Sequence, residues 1–320
     1  MPKAGNAMLN EASKAKNDEF YTQISDIEKE CVHYKRHFKD KIIFCNCDDP
    51  DTSGFWRYFH INFALLGLKR LVSTHFVYAD MFSPGDTYKM VYEGGYDADF
   101  TAGTKTALKN NGDFRSAECI EILKEADIVI TNPPFSLFSE YVAQLVEYGK
   151  QFLIIGHQNA ITYKDVFKLI KDTKIWFGYN NFDSSRFIMP DYYDSAKSKY
   201  AYEENGIKYG RVSGLRWYTN FDHNKRHESL MLYKKYTPAE YPKYDNFDAI
   251  NIDKTADIPQ DYSGVMGVPV TFFDKHSPEQ FEIIGNLGCY APDGYSLISA
   301  LYLDKHKMYK RIAIRKSHEH

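Results

Sequence analysis

The 320-residue sequence predicts an α/β fold with a doubly wound, mostly parallel sheet. The first observation is a series of short apolar runs, each the length of one buried strand. These runs are 41–47, 71–74, 127–131, 151–156 and 175–178. The second observation is that helical patterns separate most of the runs, as expected when crossover helices connect parallel strands. The length suffices for one large domain with a smaller addition.

Composition indicates a globular protein with free thiols. Hydrophobic residues make up 43% of the chain and aromatic residues 16%, so a large core can form. No apolar run approaches the roughly 20 residues of a membrane helix, and the amino terminus lacks a signal-peptide pattern, so we expect a cytoplasmic protein. The net charge of -3 neither indicates nor excludes a nucleic-acid partner. Five irregularly spaced cysteines indicate reduced thiols, and we expect no metal site.

An acidic turn follows the first predicted strand. We define it as residues 48–53, which contain three aspartates, a proline and two hydroxyl side chains. The hydroxyl groups favour the start of a helix. The turn lacks the glycine-rich fingerprint of a dinucleotide site, and its carboxylates would repel a pyrophosphate. The carboxylates can pair with an amino group or a sulfonium, so the turn favours a cationic cofactor such as S-adenosylmethionine.

Two further helices are predicted from local sequence patterns. Alternating charge predicts a helix over 24–39. Further on, Thr162 and Asp165 have the spacing of a capping box, which predicts a helix ending near Ile170.

Residues 82–111 form a polar, glycine-punctuated stretch, and Gly112 to Ser116 then precede a short helix. Asp113 and Phe114 are therefore expected near the carboxyl edge of the sheet. The acid could accept a hydrogen bond from an adenine amine, and the ring could stack on adenine. An ordinary helix N-cap region is the alternative interpretation.

The central strand at 127–131 ends in Asn132, Pro133, Pro134 and Phe135. We call these four residues the Asn-Pro-Pro-Phe turn. The apolar side chains after it have helical spacing: Phe138, Tyr141, Val142, Leu145 and Val146. The turn therefore lies at the carboxyl end of a parallel strand, where open α/β sheets bind ligands.

The chemistry of the Asn-Pro-Pro-Phe turn suits a planar base with an amino group. Two prolines remove two backbone donors and fix φ, so that nearby carbonyls can point outward. The Asn132 side chain adds another acceptor, and Phe135 adds an aromatic face. The alternative is a proline turn that merely ends the strand.

The remainder of the chain is rich in polar, aromatic and basic residues. A strand is predicted at 229–233, and the alternation at 311–315 suggests a terminal edge strand whose basic face could bind a phosphate backbone. Candidate DNA contacts are Arg186, Arg211, Arg216, Lys225, Arg226, Lys310 and Arg311. A solvated insertion would have the same composition.

Five motifs together resemble the EcoRI-type family of adenine-specific DNA methyltransferases. They are Asn17-Asp18-Glu19-Phe20-Tyr21-Thr22, Cys47-Asp48-Asp49-Pro50, Gly112-Asp113-Phe114-Arg115-Ser116, Asn132-Pro133-Pro134-Phe135 and Gly264-Val265-Met266-Gly267-Val268-Pro269. The resemblance covers about residues 16 to 316. It implies a Rossmann-like methyltransferase sheet, S-adenosylmethionine as the methyl donor, and N6 of a flipped adenine in double-stranded DNA as the acceptor.

The resemblance also implies roles for individual residues. Asn132, Pro133, Pro134 and Phe135 would hold the target amine and stack on the base. The implied cofactor contacts are Tyr21, Thr22, Cys47, Asp48, Asp49, Pro50, Asp113 and Phe114.

For domain organisation we predict a flexible arm (1–16), a methyltransferase domain (17–235) with an insertion (180–228) that contacts DNA, and a target-recognition region (236–320). A monomer is expected, with a cognate restriction endonuclease that acts on the same site without binding. The alternatives are an RNA adenine, cytosine N4 or protein glutamine methyltransferase, or an inactive DNA-binding or cofactor-sensing protein.

Overall fold

The structure is a computed structural model, and it describes residues 22–76, 87–95, 102–183, 185–189, 202–286, 289–291 and 300–317. The chain divides into two compact units. Unit 1 comprises Met1–Gln158 and Asn180–Phe221, and unit 2 comprises Asn159–Tyr179 and Asp222–His320. The predicted arm (1–16) and Tyr21 lie outside the described residues.

Unit 1 contains an α/β sheet with a parallel centre, as the sequence predicts. Its first six strands are β1 (Ile42–Cys45), β2 (Arg70–Thr74), β3 (Tyr88–Tyr92), β4 (Thr104–Ala107), β5 (Ile128–Thr131) and β6 (Gln151–His157). Further along the chain come β7 (Trp176–Asn181), which crosses the boundary between the units, β8 (Phe187–Ile188), β9 (Tyr202–Glu204), β10 (Ile207–Gly210) and β11 (Leu215–Thr219). Seven of these strands lie in the order β4-β3-β2-β1-β5-β6-β11. The four central strands β2, β1, β5 and β6 run parallel.

The strands at the edges of this order run antiparallel to their neighbours. β3 and β4 form an antiparallel pair beside β2, within the polar, glycine-punctuated stretch 82–111, where no strand was predicted. The signal for β3 was present, because Tyr88, Met90 and Tyr92 alternate towards the core. β4 gave none, because all four of its residues are exposed. β8, β10 and β9 form a separate small sheet in this order.

The helices of unit 1 lie close to the predicted positions. They are Ile24–Cys31, Gly54–Ile61, Phe63–Leu66, Ala117–Glu125 and Phe138–Glu147. The first was predicted too long, because the chain tightens into a 3₁₀ helix at Val32–His37. Ser53 and Ser116 cap the helices that follow them through their side-chain oxygens.

Unit 2 contains a helix at Lys164–Lys171 and a four-stranded sheet. The predicted capping box is wrong: Tyr163 is the N-cap residue, and the Thr162 hydroxyl donates to the Asn159 carbonyl instead, at 2.7 Å. The strands of unit 2 are β12 (Ile250–Asn251), β13 (Met266–Pro269), β14 (Phe281–Gly285), β15 (Tyr302–Leu303), β16 (His306–Lys307) and β17 (Arg311–Lys316). Four of them form the sheet, whereas β15 and β16 form a separate antiparallel pair. Short 3₁₀ helices occur at Asn224–His227, Thr255–Asp257 and Val270–Lys275.

Two strand predictions in unit 2 are corrected. β17 is an inner strand, because the sheet order is β12-β13-β17-β14 and β17 pairs on both sides. Its buried Ile312 and Ile314 explain the alternation that suggested an edge strand. The predicted strand at 229–233 is absent from the described chain, and Met231 there is 89% exposed.

Gly112 allows a close contact between two main-chain segments. It has φ +77°, and a Cβ at this position would lie 2.3 Å from the His75 carbonyl oxygen, just beyond β2. Only glycine accepts both the left-handed φ and this approach. The segment that carries Asp113 is thereby held against the carboxyl edge of the sheet.

We expect Gly112→Ala to destabilise the protein by about 2 kcal/mol or more, because strain and a backbone clash add. Gly149→Ala is the matched control: Gly149 also has a positive φ (62°), but no atom lies within 4 Å of its Cβ position. That variant should lose only about 1 kcal/mol. Urea unfolding of both variants measures the difference, and equal losses would contradict the close approach.

Candidate active site

The candidate site lies where β1, β2 and β5 end. These parallel strands are neighbours, so the acidic turn after β1, His75 after β2 and the Asn-Pro-Pro-Phe turn after β5 share one edge of the sheet. This carboxyl edge is where open α/β sheets bind ligands. The sequence predicted the acidic turn and the Asn-Pro-Pro-Phe turn at this edge.

The Asn-Pro-Pro-Phe turn holds its candidate acceptors at the end of β5, and the Asn132 side-chain oxygen is buried. Asn132 is half-buried, whereas Pro133 is buried. The Pro134 carbonyl accepts a hydrogen bond from the Leu137 amide at 3.0 Å, which starts a 3₁₀ turn at Phe135–Leu137. Within the described part of the chain, no donor is hydrogen-bonded to the Pro133 carbonyl. Phe135 is partly buried and packs against the core of unit 1.

The Asp48 carboxyl, at the start of the acidic turn, contacts both this turn and the end of β5. Its Oδ1 accepts from Ser53 Oγ at 3.1 Å, and its Oδ2 is hydrogen-bonded to Thr131 Oγ1. The main-chain amide of Asn132 also donates to this carboxyl. Burial raises the pKa of Asp48 to about 7, although the hydrogen bonds from Thr131, Ser53 and Asn132 oppose the shift.

Asp49 and Asp51 face a tyrosine that sequence reasoning missed. The Tyr88 hydroxyl lies 2.8 Å from Asp49 Oδ1 and 2.9 Å from Asp51 Oδ2. Lys105 Nζ lies 3.6 Å from Asp51 and above the Tyr88 ring. Pro50, which stands between the two acids in the sequence, is buried. The alternation around Tyr88 indicated a strand, but nothing indicated which loop its hydroxyl would reach.

Cys47 and Asn46 connect the ends of three strands. Cys47 has φ +67°, and its amide donates to its neighbour Asn46 Oδ1 at 3.0 Å. The same Asn46 oxygen accepts from Thr74 Oγ1 of β2 at 2.9 Å, and the Asn46 carbonyl accepts from Thr131 Oγ1 of β5. Burial, followed by the nearby Asp48 charge, raises the pKa of the Cys47 thiol. Asn46 was not singled out by its sequence context.

Thr22 lies against the start of the helix that follows the acidic turn. It is buried, and its carbonyl oxygen would lie 2.3 Å from a Cβ at Gly54. Thr22, the last residue of the first sequence motif, therefore lies at the same edge of the sheet. Tyr21, its predicted neighbour in the cofactor site, is outside the described residues.

Asp113 and Phe114 have protein partners. Both Asp113 oxygens bond to the Arg115 guanidinium, at 2.9 and 2.7 Å. Burial alone would raise the pKa of Asp113, but the hydrogen bonds and charge of Arg115 outweigh it and lower the pKa. Phe114 is only 3% exposed, and its ring meets Tyr141 edge-on at 4.9 Å between centroids. Their cofactor contacts remain a prediction.

The candidate DNA contacts of unit 1 differ in exposure. Arg186 and Arg211 are exposed. Arg216 is 5% exposed, and its guanidinium bonds to Asp183 at 3.2 Å and to the Leu215 carbonyl at 2.8 Å. The Arg186 guanidinium lies over the Tyr202 ring, 5.5 Å from its centroid, whereas Arg216 has an internal structural role.

In unit 2, only Lys310 of the candidates is exposed. Lys225 donates to the Tyr179 carbonyl at 2.7 Å. Arg226 lies 3.7 Å above the Trp176 ring and 3.4 Å from Asp222. Arg311 donates to Asn251 at 3.3 Å and to Asp253 at 3.4 Å.

The described residues contain neither a candidate metal cluster nor a candidate membrane-spanning helix. Across the described ranges, no group of three or more His, Cys, Asp or Glu side chains is arranged to hold a metal ion. None of the helices in this described part is long and apolar enough to cross a membrane.

An Asn-Pro-Pro-Phe turn at the end of a central parallel strand is the arrangement expected from the resemblance to amino-methyltransferases. The family model described as adenine-specific methyltransferase EcoRI matches residues 8–319. The chain therefore belongs to this family and is an adenine-specific DNA methyltransferase.

Similar proteins include the type II methyltransferase M.EcoRI of Escherichia coli, which is 47% identical over 291 residues, 88% of this chain and 89% of the relative. M.MgeORF184P of Mycoplasma genitalium is 41% identical over 86% of this chain and 85% of its own length, and M.MpnI of Mycoplasma pneumoniae is 41% identical over 86% and 84%. No solved structure matches the chain.

The raised pKa of Asp48 predicts a pH-dependent contribution to stability. The folded state holds this proton up to about pH 7, whereas the unfolded chain, with the ordinary value of 3.8, releases it earlier. Wild-type stability should therefore fall relative to Asp48→Asn as pH rises from about 4 to 7, and level off above. Urea unfolding across this range measures the difference, and a constant difference would contradict the shift.

Proposed function

We propose that the protein transfers a methyl group from S-adenosylmethionine to N6 of an adenine that is turned out of double-stranded DNA. One observation carries this proposal: the Asn-Pro-Pro-Phe turn leaves the central strand β5 beside the acidic turn of β1. An amine held by the first turn would lie next to a cofactor held by the second.

In this proposal the chain's own groups hold the target base. The Asn132 side-chain oxygen and the Pro133 carbonyl accept hydrogen bonds from the adenine amine, and Phe135 stacks on the ring. The lone pair of this amine is delocalised into the ring, so the amine is a poor nucleophile. Two acceptors that fix its N–H bonds favour a tetrahedral nitrogen with its lone pair directed outward. Catalysis is then mainly positioning, and Pro134 keeps the turn rigid.

The cofactor supplies an electrophilic methyl group on a sulfonium. The residues at this edge suit such a cation, because the Asp49 and Asp51 carboxylates lie there. Among the described ion pairs, Lys105 is the one cation within 4 Å of Asp51. The proposed contacts come from the acidic turn and two flanking segments: Tyr21, Thr22, Cys47, Asp48, Asp49, Pro50, Asp113 and Phe114.

We assign DNA contacts to the insertion (180–228) and target recognition to residues 236–320, beside the methyltransferase domain (17–235). The exposed cations Arg186, Arg211 and Lys310 are the best placed for phosphates. Extrusion of the base from the duplex is required, since the amine is otherwise inside the stack. We propose a monomer, with a cognate endonuclease that acts on the same site without binding.

Replacement of Asn132 tests the assignment of the amine site. Asn132→Ala should lower methyl transfer by at least roughly 100-fold, because the turn loses an acceptor directed at the reacting nitrogen. The matched control is Asn62→Ala, which changes a half-buried asparagine at the end of the helix Gly54–Ile61 of unit 1. Transfer of radiolabelled methyl from S-adenosylmethionine to unmethylated DNA measures the effect.

Digestion of the labelled DNA to nucleosides identifies the product. N6-methyladenine supports the proposal, whereas label in N4-methylcytosine, RNA or protein indicates one of the alternative substrates. Cofactor binding without transfer to any of them would indicate an inactive binding protein.

The exposed cations predict a separate effect on DNA affinity. Arg211→Ala should weaken binding to all sequences alike and reduce the slope of log K against log salt by about 1, because one phosphate contact is lost. Arg57→Ala, an exposed arginine on the helix Gly54–Ile61, is the control. Titration of fluorescent duplexes at several salt concentrations measures both slopes, and equal slopes would remove Arg211 from the DNA surface.

A further inference from the structure

The Asp48 carboxyl has an arrangement that a simple cofactor ligand does not need. One of its oxygens accepts a hydrogen bond from the Ser53 hydroxyl. The same hydroxyl oxygen caps the following helix, because it accepts hydrogen bonds from two main-chain amides. The other oxygen bonds to the hydroxyl of Thr131, the last residue of β5. The carboxyl thus joins the acidic turn to the strand that ends in the Asn-Pro-Pro-Phe turn, 83 residues away in sequence.

The Asn132 amide adds a third contact to the same carboxyl. This amide is the last main-chain donor before Phe135, because Pro133 and Pro134 have none. The first residue of the Asn-Pro-Pro-Phe turn is therefore held at its main chain by Asp48.

Neighbouring hydroxyl groups strengthen the same junction. Thr131 Oγ1 also contacts the Asn46 carbonyl, and Ser73 Oγ of β2 donates to the Asp48 carbonyl. These side chains are buried. A buried network with satisfied partners holds its members in one arrangement, because breaking one contact leaves a polar group unpaired in a low-dielectric interior.

We propose that Asp48 and Thr131 are positioning residues: their contact fixes the Asn-Pro-Pro-Phe turn relative to the acidic turn. The proposal rests on the proposed function, since it assumes that Asn132 presents the target amine. We call the contact between Asp48 and Thr131 the brace. Misplacement of a reacting group by about 1 Å can lower the rate roughly 100-fold, so the brace is expected to affect kcat directly.

Thr131→Val tests the brace, because valine keeps the shape and removes the hydroxyl. We expect kcat for DNA methylation to fall by roughly 10- to 100-fold, while the dissociation constant of S-adenosylmethionine, measured by calorimetry, changes less than about threefold. Thr131→Ser, which keeps the hydroxyl, should restore most of kcat. An unchanged kcat in Thr131→Val, or a loss of cofactor affinity that accounts for the whole defect, would overturn the proposal.

Thr219→Val is the matched control. Thr219 is also buried in the sheet of unit 1, and its hydroxyl donates to the Phe152 carbonyl at 2.7 Å, near the amino ends of the parallel strands. It should lose stability without the selective loss of kcat. Asp48→Asn and the double variant Asp48→Asn/Thr131→Val complete a double-mutant cycle. Because both substitutions remove the same contact, kcat of the double variant should be no more than about threefold lower than kcat of the poorer single variant. Multiplicative losses would contradict the coupling.

Hydrogen exchange gives a readout that needs no turnover. Within residues 132–134, Asn132 carries the only main-chain amide N–H, because its two neighbours are prolines, and its exchange in the intact protein can be followed by NMR as one resonance. Its exchange should quicken at least tenfold in Thr131→Val and stay unchanged in Thr219→Val. If the wild type proves inactive on DNA, the proposed function fails, yet faster exchange still supports the brace. Unchanged exchange overturns the brace whatever the activity.

Discussion

The parallel pairing of β1 with β5 is the constraint on which the candidate site depends. Ile43 lies opposite Ile128, and Phe44 lies opposite Val129, all four fully buried. A slip of one residue would exchange the two faces of a strand and disturb apolar packing on both sides of the sheet. The register therefore determines that the acidic turn and the Asn-Pro-Pro-Phe turn leave the sheet side by side, and everything proposed about the chemistry follows from that proximity.

The centre of the sheet could be predicted from sequence for a simple physical reason. Strands that are buried on both faces are short apolar runs with polar turns at their ends, so β1, β5 and β6 are visible without knowledge of their neighbours. The helix at Phe138–Glu147 is visible because its apolar side chains share one face. The Asn-Pro-Pro-Phe turn is conspicuous because prolines there limit what the main chain can do.

Features that depend on distant partners could not be predicted. β4 is fully exposed and has no apolar pattern, so only its pairing with β3 makes it a strand. The neighbours of β17 come from segments far earlier in the chain, and the pattern of alternation alone cannot distinguish an inner strand from an edge. The contacts of Tyr88 with the acidic turn likewise join positions 37 and 39 residues apart. Local sequence carries the type of side chain but not the group it meets.

The order of the strands also has a consequence for biosynthesis. β6 is paired on one side by β5 and on the other by β11, whose Leu215 lies opposite His157. Between β6 and β11 the chain passes through the segment Asn159–Tyr179 of unit 2. While the protein is being translated, one edge of β6 therefore stays open until residues 215–219 have left the ribosome, with the apolar residues Phe152 to Ile155 along it. An unpaired apolar edge invites intermolecular strand pairing, so nascent chains of this protein need protection from aggregation during that interval.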